Sequence, residues 1–286
     1  MPRFSVHPGA IFSVVREVRS QAAEFRPLLL AGNAERVAAL KTALTAGGDP
    51  GAVRDLSGHE LTGYDVDGAD ALVYVVEGER PSPADEAAFR LSDRNGVDVV
   101  CVLVTPTGAL PPDDLPYVPA TNVVAVRPDD PPPVEDVAAR VAAVAEETNY
   151  ALAAKLPAVR KAICEAIVRR FSRQNGLLGA AIFIPGADLP ALTVNQIRMV
   201  LRIAAAYGQE IDRERAVELL GVLGAAFGLR AIAREAVGLV PGPGWVLKGA
   251  IAYAGTKALG EAAIRYFEAG GTKRAAEAVR SVRSRS

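Results

Sequence analysis

The chain has 286 residues, half of them hydrophobic, and a mean hydropathy of +0.18, enough material for two domains with cores of their own. Its net charge of −1 hides an asymmetry: residues 1–150 hold 12 Lys+Arg against 23 Asp+Glu, a net −11, and residues 151–286 hold 20 against 10, a net +10. Two cysteines, Cys101 and Cys164, exclude a disulfide framework and lack metal-ligand spacing, so both read as small buried hydrophobes in a reducing compartment.

The start of the chain, Met1 to Gln21, intersperses Arg and Glu and has no apolar core region, which argues against a signal peptide and for the cytoplasmic side. Helical spacing of Ile11, Val14, Val18 and Ala22 predicts an N-terminal helix within residues 1–25. A strand follows at Pro27–Ala31, then Gly32 and a helix over Ala34–Thr45. The turn-rich stretch Gly47–Thr62 has room for one or two short strands. Asp70–Glu77 and Val97–Val104 are near-continuous apolar runs, the pattern of strands covered on both faces, and Asn122–Val126 is a weaker one. Ser82 beside Pro83 starts a helix that runs to Arg94. Strands alternating with helices over residues 26–130 predict a parallel α/β sheet.

The stretch Arg127–Pro133 marks a break, and residues 134–270 read as all-α. Val134, Val137, Val141 and Val144 recur at helical spacing, and Leu152 to Ile167 continue the pattern past Pro157, which should kink or restart the helix. Further helices are expected at Ala191–Tyr207, Arg213–Leu229 and Leu247–Phe267. The centre of this half is Ala162–Gly208. An amphipathic helix ends there in the cluster Arg169, Arg170, Arg173, and the run Gln174–Ile197 holds Asp188 as its one charge. Pro185-Gly186 breaks the run into a helical hairpin, and Val240-Pro241-Gly242 is a faint echo of that corner. Spanning a bilayer takes about 20 apolar residues in one helix, and these proline and glycine breaks argue against such a span. Shallow insertion fits better, with Arg169, Arg170, Arg173 and Lys248 at headgroup level and Trp245, Tyr253, Tyr266 and Phe267 as interfacial anchors. The competing reading is a soluble Ala/Gly-rich bundle. The tail at 271–286 is basic, and lacks the aromatic interleaving of a nucleic-acid reader.

Two segments, FIPGADLPALTVNQIRMVLRIAAAYG and VPGPGWVLKGAIAYAGTKALGEAAIRYF, carry a resemblance. Residues from about Leu156 to Phe267 resemble the helical domain of unknown function of YcjF-type, GTPase-associated bacterial proteins. That resemblance implies a preceding GTPase domain of the Era/TrmE type and association with the inner membrane. The front half has the layout of such a GTPase but departs from it at each chemical position. A phosphate loop needs a glycine-rich turn, a Lys on the β/γ-phosphates and a Ser/Thr on magnesium. Gly32 matches the first glycine, but Val37, Ala38 and Ala39 stand where Gly-Lys-Ser/Thr belongs, and Lys41 comes two residues late and reads as solvent-facing. The Asp-x-x-Gly switch motif is matched by Asp65–Gly68, crowded against the next strand. Thr105–Gly108 replaces the guanine-reading Asn-Lys-x-Asp, and Val126-Arg127-Pro128 the last base-contacting loop.

No other chemistry stands out. His7 and His59 are isolated, Asp55, His59 and Glu60 read as a polar turn, and no nucleophile elbow, Cys–His dyad or carboxylate pair is present. The expected architecture is therefore a degenerate P-loop GTPase-like parallel sheet followed by an Ala/Gly-rich helical domain. The expected function is that of a non-enzymatic, membrane-associated adaptor with no catalytic residue, cofactor or metal. It would dock on inner-membrane lipid through Arg169, Arg170, Arg173, Pro185, Gly186, Asp188, Trp245 and Lys248, and meet a protein partner such as a GTPase, with no nucleic acid. The alternatives are a soluble homo-oligomeric protein-binding module and an atypical GTPase.

Overall fold

A computed structural model describes residues 8–111, 113–145, 150–181, 189–212, 216 and 244–270. The chain divides into two compact units: residues 21–163 form one, and residues 1–20 with 164–286 the other. The charge asymmetry follows this division, with 12 Lys+Arg and 22 Asp+Glu in the first unit (net −10) and 20 against 11 in the second (net +9).

The first unit is built on a five-stranded parallel sheet in the order β2-β1-β3-β4-β5. Its strands are β1 (Leu28–Gly32), β2 (Val53–Asp55), β3 (Ala71–Glu77), β4 (Asp98–Val104) and β5 (Val123–Val126). The apolar runs are buried on both faces because side chains alternate with period two. Leu29, Leu72, Tyr74, Cys101 and Leu103 share a cluster with Phe89, while Leu30, Val73, Val75, Val100 and Val102 are equally buried. Gly47–Thr62 supplies a single strand, of three residues. The expected strand start at Pro27 moves to Leu28.

Helix α1 (Pro8–Ala23) precedes the strands, and α2 (Ala34–Leu44), α3 (Gly63–Val66), α4 (Pro83–Arg94), α5 (Val134–Val144) and α6 (Tyr150–Lys155) alternate with or follow them. Ser82 caps α4: its hydroxyl accepts from the Asp85 N–H at 3.3 Å, and Asp85 accepts in return from the Ser82 N–H at 2.8 Å. The long pattern from Val134 is broken into α5, α6 and α7 (Pro157–Ala181). Pro157 restarts the chain as the first residue of α7, where its missing N–H costs nothing.

The second unit contains the front of α1, α7 from Cys164, α8 (Leu189–Ala206) and α9 (Gly244–Glu268). The expected helix end at Arg173 is corrected: α7 runs on to Ala181, because the glycines beyond the arginines are used for packing rather than for stopping. A Cβ on Gly179 would lie 2.8 Å from the Ala252 Cβ, and one on Gly249 would lie 2.8 Å from the Gly176 carbonyl oxygen. Phe267, expected as an interfacial anchor, is buried, and its ring stacks on Tyr207 at 5.6 Å. The helix expected over Arg213–Leu229 (apart from buried Ala216), the Val240–Gly242 corner and the basic tail lie outside the described residues.

Candidate functional site

In a doubly wound sheet, ligands bind outside the carboxyl ends of the strands where the strand order reverses. Here the chain goes from β1 to β2 on one side and then to β3 on the other, so the reversal lies between β1 and β3. A cleft of about 830 Å³ opens at that place, floored by Ala31, Gly32 and Val75. The segment Gly58–Leu61 forms one wall and α4, from Ala84 to Leu91, the other.

The β1–α2 turn decides what this cleft can hold. Gly32 is the last residue of β1 and Ala34 the first of α2, so Asn33 alone connects them. Four residues separate the two glycines of a phosphate loop; here the corresponding Asn33–Arg36 are the N-cap and first turn of a helix. Asn33 donates its backbone N–H to the Val75 carbonyl at 2.9 Å, and its side-chain oxygen accepts from the Arg36 N–H at 3.1 Å. Its Nδ2 donates to Glu77 Oε2 at 2.6 Å, and Arg36 reaches Glu77 at 3.9 Å and the Pro128 carbonyl at 2.6 Å. A carboxylate of the chain itself thus stands beside the N-terminus of α2, where the helix dipole draws negative charge. Val37 is buried, and Ala38 and Ala39 are exposed on the second turn of α2.

Across the cleft, the Tyr74 hydroxyl donates to Asp85 Oδ1 at 2.9 Å, and its ring meets Phe89 edge-on at 5.2 Å. Burial first, and the Asp85 carboxylate second, push the phenol well above its usual range. The same two causes push the Cys101 thiol up to about 12, so it is an unreactive core residue at neutral pH. Asp85 is held at both oxygens, by Tyr74 and by Ser82.

The residues singled out in the polar loops serve local structure. Asp65 accepts from the Thr62 N–H and hydroxyl at 2.9 and 2.7 Å, which caps the short α3. A different match to Asp-x-x-Gly, Asp55-Leu56-Ser57-Gly58, leaves the end of β2 directly; three strand residues before it were the missed signal. Asp55 accepts from the Ser57 hydroxyl at 2.6 Å and pairs with Lys41 at 3.8 Å, so Lys41 is half-buried against an acid rather than turned to solvent. Lys155 in α6 donates to Asp49 at 2.8 Å. His59 is exposed at the rim of the cleft, and His7 lies outside the described residues. Among the described residues no three His, Cys, Asp or Glu side chains gather as metal ligands.

In the helical unit Arg169, Arg170 and Arg173 are exposed on α7, and Arg169 pairs with Glu165 at 3.9 Å. Leu177, one turn beyond Arg173, is 72% exposed, and Leu247 and Tyr253 are exposed on α9. These side chains flank the seam where Gly176 meets Tyr253 and Gly179 meets the Lys248 carbonyl. Pro185, Gly186 and Asp188 lie outside the described residues, as does the side chain of Trp245; Lys248 is half-buried. No described helix is long and apolar enough to cross a membrane.

Sequence reading missed a half-buried polar chain in the same unit, with Asn175 and Thr256 at its fully buried end. Glu17 of α1 accepts from Arg198 at 2.8 and 2.9 Å and from Arg202 at 3.2 Å. Arg198 also donates to Asn195 at 3.1 Å, and Asn195 to Asn175 at 3.0 Å. Asn175 and Gln196 then donate to Thr256 at 2.9 and 3.2 Å. Residues 144–285 match the family described as Domain of unknown function (DUF697). Within the DUF697 match fall α6 to α9 and all of this polar chain except Glu17, which α1 brings from the N-terminus. No curated protein and no solved structure matches the chain.

Proposed function

We propose that the protein is a non-enzymatic adaptor in which a GTPase-like α/β unit has given up nucleotide chemistry and serves as a protein-binding scaffold. The observation that carries this reading is the sealed N-terminus of α2. The connection from β1 is one residue long, no lysine or Ser/Thr occupies the phosphate-loop positions, and the Glu77 carboxylate, bonded to Asn33, stands at the helix start that would otherwise draw an anion. Asp55–Gly58 at the end of β2 supports a GTPase ancestry, since it puts the switch motif beside the first strand. The strand order supports a doubly wound sheet and leaves the ancestry to such motifs.

The helical unit, in the same proposal, docks on the anionic inner face of the cytoplasmic membrane. Its support is the net +9, the exposed Arg169, Arg170 and Arg173 of α7, and the exposed apolar side chains Leu177 of α7 and Leu247 and Tyr253 of α9. Juxtamembrane basic residues each add about 1 kcal/mol toward an anionic surface. A purely protein-binding, homo-oligomeric role is the alternative, favoured by the polar chain that runs from half-buried Glu17 and Arg198 to fully buried Asn175 and Thr256, as in a bundle surrounded by water.

Two measurements on the full-length protein test the proposal. GTP, GDP and magnesium should leave the thermal midpoint unchanged; a shift of several degrees at micromolar nucleotide would restore the atypical-GTPase reading. Flotation with anionic liposomes at low salt should recover the protein, and Arg169→Ala, Arg170→Ala and Arg173→Ala together should cut that recovery. Absence of flotation at any salt would leave the oligomeric protein-binding role.

A further inference from the structure

We propose that the cleft between Gly58–Leu61 and α4 receives a cationic side chain, arginine or lysine, presented by a partner protein. This rests on the reading of the α/β unit as a protein-binding scaffold and names the chemistry of what it binds. Three observations converge. The cleft lies at the strand-order reversal, the ligand position of this class of sheet. Its ionisable lining consists of Glu60, Glu77, Asp85 and Tyr74 with His59 at the rim, and includes no Lys or Arg. The same lining includes the aliphatic side chains Ala84, Ala88, Leu61 and Leu91.

An arginine or lysine has the matching shape: a long apolar stem that packs on aliphatic walls and a charged head that seeks carboxylates. A nucleotide or other anion would instead meet three carboxylates across the same opening. Glu77 already accepts from Asn33 and lies 3.9 Å from Arg36, and Asp85 is bonded to Tyr74 and Ser82. Both therefore stand fixed in place, a preorganised rim to which exposed Glu60 adds an adjustable third acid. The acidic balance of the whole unit, net −10, draws a basic partner from a distance.

The test uses the full-length protein with methyl-labelled Ala and Leu, observed by NMR at low salt. The probe is a blocked pentapeptide with a central arginine in alanine, and its control is the same peptide with citrulline, which keeps the shape and removes the charge. The expected result is a saturable shift of the Ala31, Leu61, Ala84 and Leu91 methyls with the arginine peptide. Binding should be at least tenfold weaker for citrulline, at least threefold weaker in Glu60→Gln, and weaker again at high salt. No shift at millimolar peptide, or equal shifts with citrulline, overturns the inference and leaves the nucleotide-free scaffold reading intact. Saturable shifts of the same methyls with GTP overturn both.

Discussion

Gly32 ends β1 at φ +101°, and a Cβ there would overlap the Val75 carbonyl oxygen. Both faults act together in Gly32→Ala: a left-handed conformation costs about 1–2 kcal/mol, and overpacking against fixed backbone adds about 1–3 kcal/mol. Gly58 provides the control, with φ +87° and open space around its Cα. Chemical denaturation should show Gly58→Ala losing only the conformational part, and Gly32→Ala losing about twice as much or failing to fold. Equal losses would mean that β1 shifts away from β3 to make room. Tyr74→Phe leaves Asp85 one donor short beside the cleft, and losing such a bond to a charged group costs about 1.5–3 kcal/mol. The Cys101 thiol should resist alkylation in the native protein at pH 8 and react only at the rate of unfolding.

At the level of elements, α7 and α9 approach so closely because Gly176, Gly179, Gly249 and Gly260 line their contact, and the polar chain then sets their register against α8. Gly249→Val should force the two helices apart, since its Cβ alone would lie 3.0 Å from that of Ala180. Hydrogen exchange should then accelerate in α9 while the strands of the α/β unit keep their protection. Asn175 and Thr256 are fully buried and bonded to one another. Gln196 also bonds Thr256 and Asn195 also bonds Asn175, so removing either partner leaves the other one hydrogen bond short rather than bare. A double-mutant cycle of Asn175→Ala and Thr256→Val should give a coupling of about 1 kcal/mol. Strict additivity would mean that the bond contributes nothing to register. Glu17 binds two arginines of α8, so Glu17→Ala leaves Arg202, 3% exposed, with less compensation, and should destabilise the DUF697-matched helices from outside their own sequence.

Over the whole molecule, pH should act on the α/β unit in opposite directions at its two limits. Asp49, Asp55, Asp65 and Asp130 are all held below the ordinary aspartate value of 3.8, by hydrogen bonds from Lys155, Ser57, Thr62 and Arg127 respectively. The unfolded chain therefore takes up protons at higher pH than the folded one. This contribution is complete above 3.8 and is lost as the pH falls through the lower folded values. For Cys101 the sign reverses: its contribution is complete below the ordinary thiol value of 9.0 and lost as the pH rises toward about 12. Denaturation curves from pH 5 to 2 should steepen in acid, and Asp65→Asn should flatten part of that slope.

The strands β1, β3 and β4, the helices α2 and α4, the serine cap and the charge division were legible in the residues because period, capping chemistry and charge are local properties of a sequence. So was the absence of phosphate-loop residues after Gly32, which is a matter of which side chains stand there. Tertiary structure alone decided what meets the start of α2. Glu77 is 44 residues from Asn33, and only the parallel pairing of β1 with β3 brings its carboxylate to the start of α2. The same holds for Glu17 and Arg198, 181 residues apart, and for the glycines of α7, which read as helix breakers until a facing backbone gives them a packing role. Local pattern encodes elements, whereas a cleft, an ion pair between distant helices or a close helix contact is formed by residues that become neighbours only when the chain closes on itself.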